Sequence, residues 1–191
     1  LVTFKSVSIE WWLLQLDIFI EKLHIRDAED LLKFELENRT FFEEMVPTRG
    51  ADYYTPNIFN KKLEALLDEQ FQGVSYYFLI KDRDNSIIGR INLVDIDESR
   101  KVGHLGYRIG QVHTGKGIAS KALTLLLESI SDKEIKLIEA KTTTNNVASQ
   151  KVLEKNGFER SDRSDKQFEM NGQKVSFVYY WWTSRFEYIL K

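Results

Sequence analysis

The stretch Gly110-Gln111-Val112-His113-Thr114-Gly115-Lys116-Gly117-Ile118-Ala119 places closely spaced glycines just ahead of an apolar run with helical spacing. The chemistry this offers is anion binding. A glycine without Cβ lets successive amides turn inward, and a helix N-terminus adds partial positive charge. A phosphate or pyrophosphate would suit such a nest, and the competing reading is a plain strand-to-helix turn. Two other nucleotide motifs fit worse. A Walker A loop needs Ser or Thr after Gly-Lys, whereas Lys116 is followed by Gly117. A dinucleotide fingerprint needs a third small residue within a parallel βαβ unit, whereas the run before this loop closes an antiparallel meander.

A second polar cluster lies past the next strand-like run, in Asn146-Val147-Ala148-Ser149-Gln150-Lys151-Val152-Leu153-Glu154-Lys155-Asn156-Gly157-Phe158. Asn146 and Ser149 stand near the start of a short helix that Gly157 ends. They either cap that helix or set polar groups beside the first site.

The elements that must position these clusters follow from hydrophobic periodicity. Alternating Leu16, Ile18 and Ile20 predict a first strand through Ile25, after which Asp27 suits an N-cap for a helix over Ala28 to Arg39. Thr40 to Pro56 reads as an aromatic-rich loop, with a short helical turn at most. Phe59, Leu63, Leu66, Leu67 and Phe71 predict a helix over Asn57 to Gln72, closed by Gly73. Three strand-like runs, Ser75–Lys81, Ile87–Ile96 and Val102–Ile109, are joined by short turns and predict a meander. Ile118, Ala122, Leu126 and Ile130 predict an apolar helix lying on a sheet, followed by a strand at Leu137–Thr142 and a helix over Asn146–Asn156. The end reads as a hairpin, Gln167–Met170 and Val175–Trp182 around the turn Asn171-Gly172. The expected class is α+β: a mixed, mostly antiparallel sheet of about seven strands with helices on both faces.

Composition bounds the rest. The 191 residues suit a single domain over 16–191, with residues 1–15 an N-terminal extension of unknown role. With 27 Lys+Arg against 29 Asp+Glu the chain has no global field for nucleic acid or anionic lipid. The absence of Cys excludes disulfides and thiolate metal sites, and His24, His104 and His113 lack ligand spacing, so no metal is expected. Trp11–Ile20 is too short and too interrupted to span a bilayer and lacks the flanks of a signal peptide; the expected compartment is the cytoplasm.

Taken together, Gly115-Lys116-Gly117-Ile118-Ala119, the Asn146–Phe158 run and Leu105-Gly106-Tyr107-Arg108-Ile109-Gly110 resemble the GNAT superfamily, and within it the RimJ/RimL type of ribosomal-protein N-acetyltransferases. The resemblance covers Ile18 to Trp182. It implies acetyl-CoA as acetyl donor, bound where the strand of Tyr107 and that of Leu137–Thr142 part. Val112, Thr114, Gly115, Lys116, Gly117, Ile118 and Ala119 would cradle the pyrophosphate, and amides near Ile109 would polarise the thioester carbonyl. Asn146 matches the position that contacts the cofactor arm, and Ser149 the hydroxyl that protonates the leaving thiolate. Glu169 roughly matches the base; Glu43 and Glu44 are alternatives. Val112 departs from the family's usual Gln or Arg, and Gln111 stands one place early. The acceptor implied is a protein N-terminal amine, such as that of a ribosomal protein, attacking directly in a ternary complex. The alternatives are a small amine (polyamine, amino acid or aminoglycoside) and a non-catalytic acyl-CoA-binding module. An α-amine, with a pKa of ~7.7–8.0, needs less help to lose its proton than a Lys amine at ~10.4. Phe41 and Phe42 read as core, and the aromatic strand Phe177–Trp182 as either core or a homodimer interface.

Overall fold

The computed structural model describes residues 17–45, 49–164 and 166–184, and the expected extension over 1–15 lies outside the described residues. The first half runs β1 (Ile18–Lys22), α1 (Ala28–Glu37), α2 (Arg39–Met45), α3 (Pro56–Phe71), β2 (Tyr76–Asp82), β3 (Ile87–Asp97) and β4 (Val102–Ile109). The second runs α4 (Ile118–Ser129), β5 (Leu137–Thr143), α5 (Val147–Lys155), β6 (Glu159–Ser164), β7 (Phe168–Met170), β8 (Gln173–Val175) and β9 (Phe177–Thr183). Seven strands form one sheet in the order β1-β2-β3-β4-β5-β9-β6, and β7 and β8 form a separate two-stranded ribbon. Within the sheet β4 and β5 pair in parallel and the other neighbours antiparallel.

Strand alternation divides the core into two layers. Phe78 and Ile80 of β2 point with Ile91 and Leu93 of β3 toward Ile118, Ala122, Leu123 and Leu126 of α4 and Leu153 of α5. Tyr77 and Leu79 point the other way, onto Leu31 and Phe34 of α1, Phe42 of α2 and Phe59 and Leu63 of α3. With helices on both faces, β2 is buried through its length and reads as an unbroken apolar run. The expected class and the seven-stranded sheet are therefore both present. The glycine stops also hold: Gly73 and Gly157 take positive φ, and the amides of Val74 and Phe158 reach back to Glu69 and Leu153.

Four local expectations are corrected. Thr40–Met45, read as the start of a loop with a short helical turn at most, is helical with Arg39, because Phe42 packs under Phe34 at 5.7 Å between ring centroids and Arg39 bonds Glu43 one turn on. The seventh strand of the sheet is Glu159–Ser164 rather than Gln167–Met170; it carries no apolar residue because it is an edge strand, where charge is favoured. Asn171-Gly172 does make a hairpin turn, but it pairs Phe168 with Val175, and β9 leaves the ribbon to join β5. Asp27 precedes α1 without capping it. Its carboxylate instead accepts from the His24 amide at 2.9 Å and from the buried Lys81 at 3.2 Å, with Glu21 at 2.7 Å on the same ammonium. The aromatic strand β9 is core on one face, where Val178 and Tyr180 are buried, while Trp181 is exposed.

Glu35, the most buried charged residue described, sits on the inner face of α1. Arg90 Nη1 lies 2.8 Å and Arg49 Nη1 3.3 Å from its Oε1, and Arg108 Nη1 lies 3.5 Å from Oε2. Removing the one carboxylate leaves three guanidiniums facing each other with little water to screen them. We expect Glu35→Gln to cost about 3 kcal/mol, the scale for breaking a buried ion pair from one side. Urea unfolding measures this, and a midpoint unchanged from the wild type would contradict it.

Candidate active site

The site begins where two strands separate. β4 and β5 pair from Val102 with Leu137 to Leu105 with Ala140, and no further. Beyond that point β4 continues on β3 while β5 continues on β9. The Gly110 amide bonds Ile88 O at 2.9 Å, so by antiparallel alternation the amides of Tyr107 and Ile109 face away from β3, into the gap. Ile109 thus stands where a developing oxyanion can be met by a backbone donor.

The cofactor loop follows at once. Gly110 is buried, and a Cβ there would come within 3.1 Å of the Phe34 ring and 3.3 Å of Asn38 Oδ1. That close approach lets Asn38 accept the Gln111 amide at 2.8 Å while donating to Phe34 O, which pins the loop to the end of α1. Gly115 and Gly117 both take positive φ, +73° and +81°, a conformation L side chains seldom adopt. Among the described residues, none of the amides from Gly115 through Ser120 has a protein acceptor. Unpartnered amides at the head of a 12-residue helix are what a pyrophosphate requires. They open on a cavity of about 650 Å³ lined by Ile109, Thr114, Gly115, Gly117, Ile118, Ala119, Asn146 and Ser149. Val112 and Lys116 are exposed and lie outside this lining, with Val112 at 74% exposure. His113 does line it. Burial, with Lys116 adding to it, pushes the His113 imidazole below its ordinary pKa, so it is neutral near pH 7.

A second cavity of about 450 Å³ lies on the other side of the gap, and it shares Met45, Tyr107, Arg108, Asn146 and Ser149 with the first. At their junction Asn146 Oδ1 accepts the Ser149 amide at 3.1 Å, so Asn146 is the helix cap and the Ser149 hydroxyl is left for other work. That hydroxyl lies 2.9 Å from the Tyr107 hydroxyl. Burial raises the Tyr107 phenol to about 12, against the opposing effect of its bond to Ser149, so it stays protonated throughout the working pH range. Tyr107 belongs with the site, although sequence reading gave it no role of its own. Phe41 and Phe42 line the first cavity while Phe42 is also core. Glu43, bonded to Arg39, and the exposed Glu44 line neither cavity. Glu169 is exposed on β7 and lines neither, although the β7–β8 turn is close to α2, where Asn171 Nδ2 donates to Glu44 O at 2.9 Å.

Residues 17–159 match the Acetyltransferase (GNAT) domain. The chain belongs to the GNAT acetyltransferase family. It is similar to the probable N-acetyltransferase YjcK of Bacillus subtilis, at 30% identity over 158 residues, 81% of this chain and 87% of the relative. It is also similar to the [Ribosomal protein uS5]-alanine N-acetyltransferase of Escherichia coli, at 30% identity over 159 residues and 82% of each chain. Among solved structures it superposes on RimL, the ribosomal L7/L12 α-N-protein acetyltransferase in complex with coenzyme A, with a TM-score of 0.79. That match has 20% identity and covers 87% of this chain and 94% of that one. The protein is accordingly an acetyl-CoA-dependent N-acetyltransferase, and the free amides of the loop fit the donor's pyrophosphate.

An aspartate at Gly117 would strain a positive φ and put a negative charge among those amides. We expect Gly117→Asp to abolish acetyl-CoA binding by calorimetry, while Gln111→Ala, which keeps the amide bonded to Asn38, stays within a few-fold of the wild type. Equal affinities for the two variants would remove the loop from the site.

Proposed function

We propose that the enzyme acetylates the α-amine of a protein N-terminus, with the acceptor entering through the second cavity. The observation that carries this reading is the pair Ser149–Tyr107 at the single point where both cavities meet, within an enzyme 30% identical to a ribosomal uS5-alanine acetyltransferase. In the reaction a neutral amine attacks the thioester carbonyl, an N–C bond forms, the C–S bond breaks, and the departing thiolate takes a proton. The amides of Tyr107 and Ile109 meet the charge on the carbonyl oxygen. Ser149 delivers the proton, held in place by the Tyr107 hydroxyl 2.9 Å away, which stays protonated because its pKa is raised.

Among the described residues no carboxylate lines either cavity. An α-amine suits such a site, since its pKa of ~7.7–8.0 leaves an appreciable neutral fraction near pH 7. Glu169, if it acts as base, does so through water, because its side chain is on an exposed strand. A ribosomal protein as acceptor would place the reaction in the cytoplasm.

Transfer of labelled acetyl to peptides with a free N-terminus, and not to the same peptides with a blocked N-terminus and an internal Lys, tests the acceptor class. Label on the blocked peptides would overturn the α-amine reading. We further expect Ser149→Ala to lower kcat by about 10²-fold, the low end for general acid catalysis because a thiolate leaves readily, with Kd for acetyl-CoA within a few-fold. Since Asn146 holds the cap, the variant should keep its unfolding midpoint, and normal turnover would exclude the acid role.

A further inference from the structure

The second cavity has a charge that transfer to an amine does not explain. Arg49, Arg90 and Arg108 all line it, and their shared counter-ion, Glu35, is fully buried behind them and is not part of the lining. One carboxylate neutralises one guanidinium of the three. Lys141 lines it too, its Nζ 4.8 Å over the Phe177 ring, and among the described residues no Asp or Glu lines the cavity. Glu43 on α2 pairs with Arg39 and is not among the lining residues. Glu35 Oε2 makes no hydrogen bond, so the cluster is not a closed network in which every group is satisfied. The guanidiniums are also held rather than free to swing into solvent. Arg108 stacks 5.2 Å from Phe42, and Arg49 stacks 4.6 Å from Tyr53 while donating to its hydroxyl at 2.6 Å.

A structural role alone would need one arginine for Glu35. Three, Arg90 held by Glu35 and Arg49 and Arg108 by aromatic rings as well, around a cavity that Ser149 also lines, make an oxyanion receptor, since planar guanidiniums match a carboxylate. Arg108 connects the receptor to the reaction point, because it lines both cavities and follows Tyr107 in the chain. We propose that the acceptor is an amine carrying a carboxylate close to the reacting nitrogen, presented by a peptide N-terminus with Asp or Glu in its first residues. Arg49, Arg90 and Arg108 select it. This rests on the N-terminal reading above.

The test compares kcat/KM for three peptide families identical except at the second residue, which is Asp, Asn or Lys, together with free aspartate and glutamate as acceptors. The Asp peptide should exceed its Asn isostere by about tenfold and the Lys peptide by more, with the gap narrowing in high salt. Arg49→Gln, which leaves Glu35 two arginines and so keeps the fold, should bring the Asp-to-Asn ratio close to one. Arg49→Lys should retain part of it. If the Asn or Lys peptides are acetylated as fast as the Asp peptide, carboxylate selection is wrong and the N-terminal reading stands. If the free amino acids are acetylated and no peptide is, carboxylate selection stands on a small-molecule acceptor and the N-terminal reading falls. Acceptance of none of them overturns both.

Discussion

Between Leu105 and Gly106 the only parallel pairing described in the sheet runs out. A parallel pair satisfies both strands evenly along its length, so its loss frees one edge of β4 and one of β5 at the same place. On their outer edges β5 stays paired with β9 as far as Thr143 and β4 with β3 as far as Ile109, so only the two edges that face each other are left open. The amides of Tyr107 and Ile109 therefore face an opening inside the sheet, a position where unpaired backbone is costly unless a ligand or water meets it. The cofactor loop, both cavities and the Ser149–Tyr107 contact are all arranged around that opening. Closing it by continued pairing would bury every element of the site at once.

The separation is held open from both sides. α4 packs its apolar face onto β2 and β3, and α5 inserts Leu153 into the same layer, so the two helices on that face keep the loop and Asn146 at fixed distance. Asn156, just past the end of α5, ties that helix to the first half of α4, its Nδ2 donating to Ser120 Oγ at 3.1 Å and its Oδ1 accepting from Thr124 at 3.0 Å. The rigid cavity wall costs little further ordering on binding, which is how preorganised amides stabilise charge more effectively than water does.

The conformation of the candidate cofactor loop was legible in the sequence because its parts are local. Gly115, Gly117 and Ile118 are neighbours in the chain, and the need for positive φ and a helix N-terminus can be read from residue type. The Asn146–Gly157 helix was legible for the same reason. What could not be read depends on long-range pairing. Ser149 and Tyr107 are 42 residues apart, Gln111 and Asn38 are 73, and Arg90 and Glu35 are 55. Periodicity gives no signal for these contacts, and each residue has an ordinary surface composition in its own window. β6 was missed for a different physical reason. Its sequence Glu-Arg-Ser-Asp-Arg-Ser has the charge of a solvated loop, and only the demand of β9 for a partner makes it a strand.

The two halves of the site share one support, and it is α1. Near its middle, Phe34 fills the space that a side chain on Gly110 would occupy, and Asn38 just beyond its end holds the Gln111 amide. On the same helix Glu35 gathers the three arginines of the acceptor cavity. The glycine loop and the arginine-lined cavity are thus both tied to residues 34–38, within about one turn at the end of α1. A shift of α1 by even a fraction of a turn would move the pyrophosphate nest and the arginine cluster together, keeping their spacing while changing both relative to Ser149. The buried ion cluster has a physical justification in this arrangement. An apolar residue at position 35 could be as stable in a core, but it would leave Arg90 and Arg108 without the charge that aims them at the cavity. Burying Glu35 therefore fixes the positions of the three arginines relative to the helix that also holds the glycine loop.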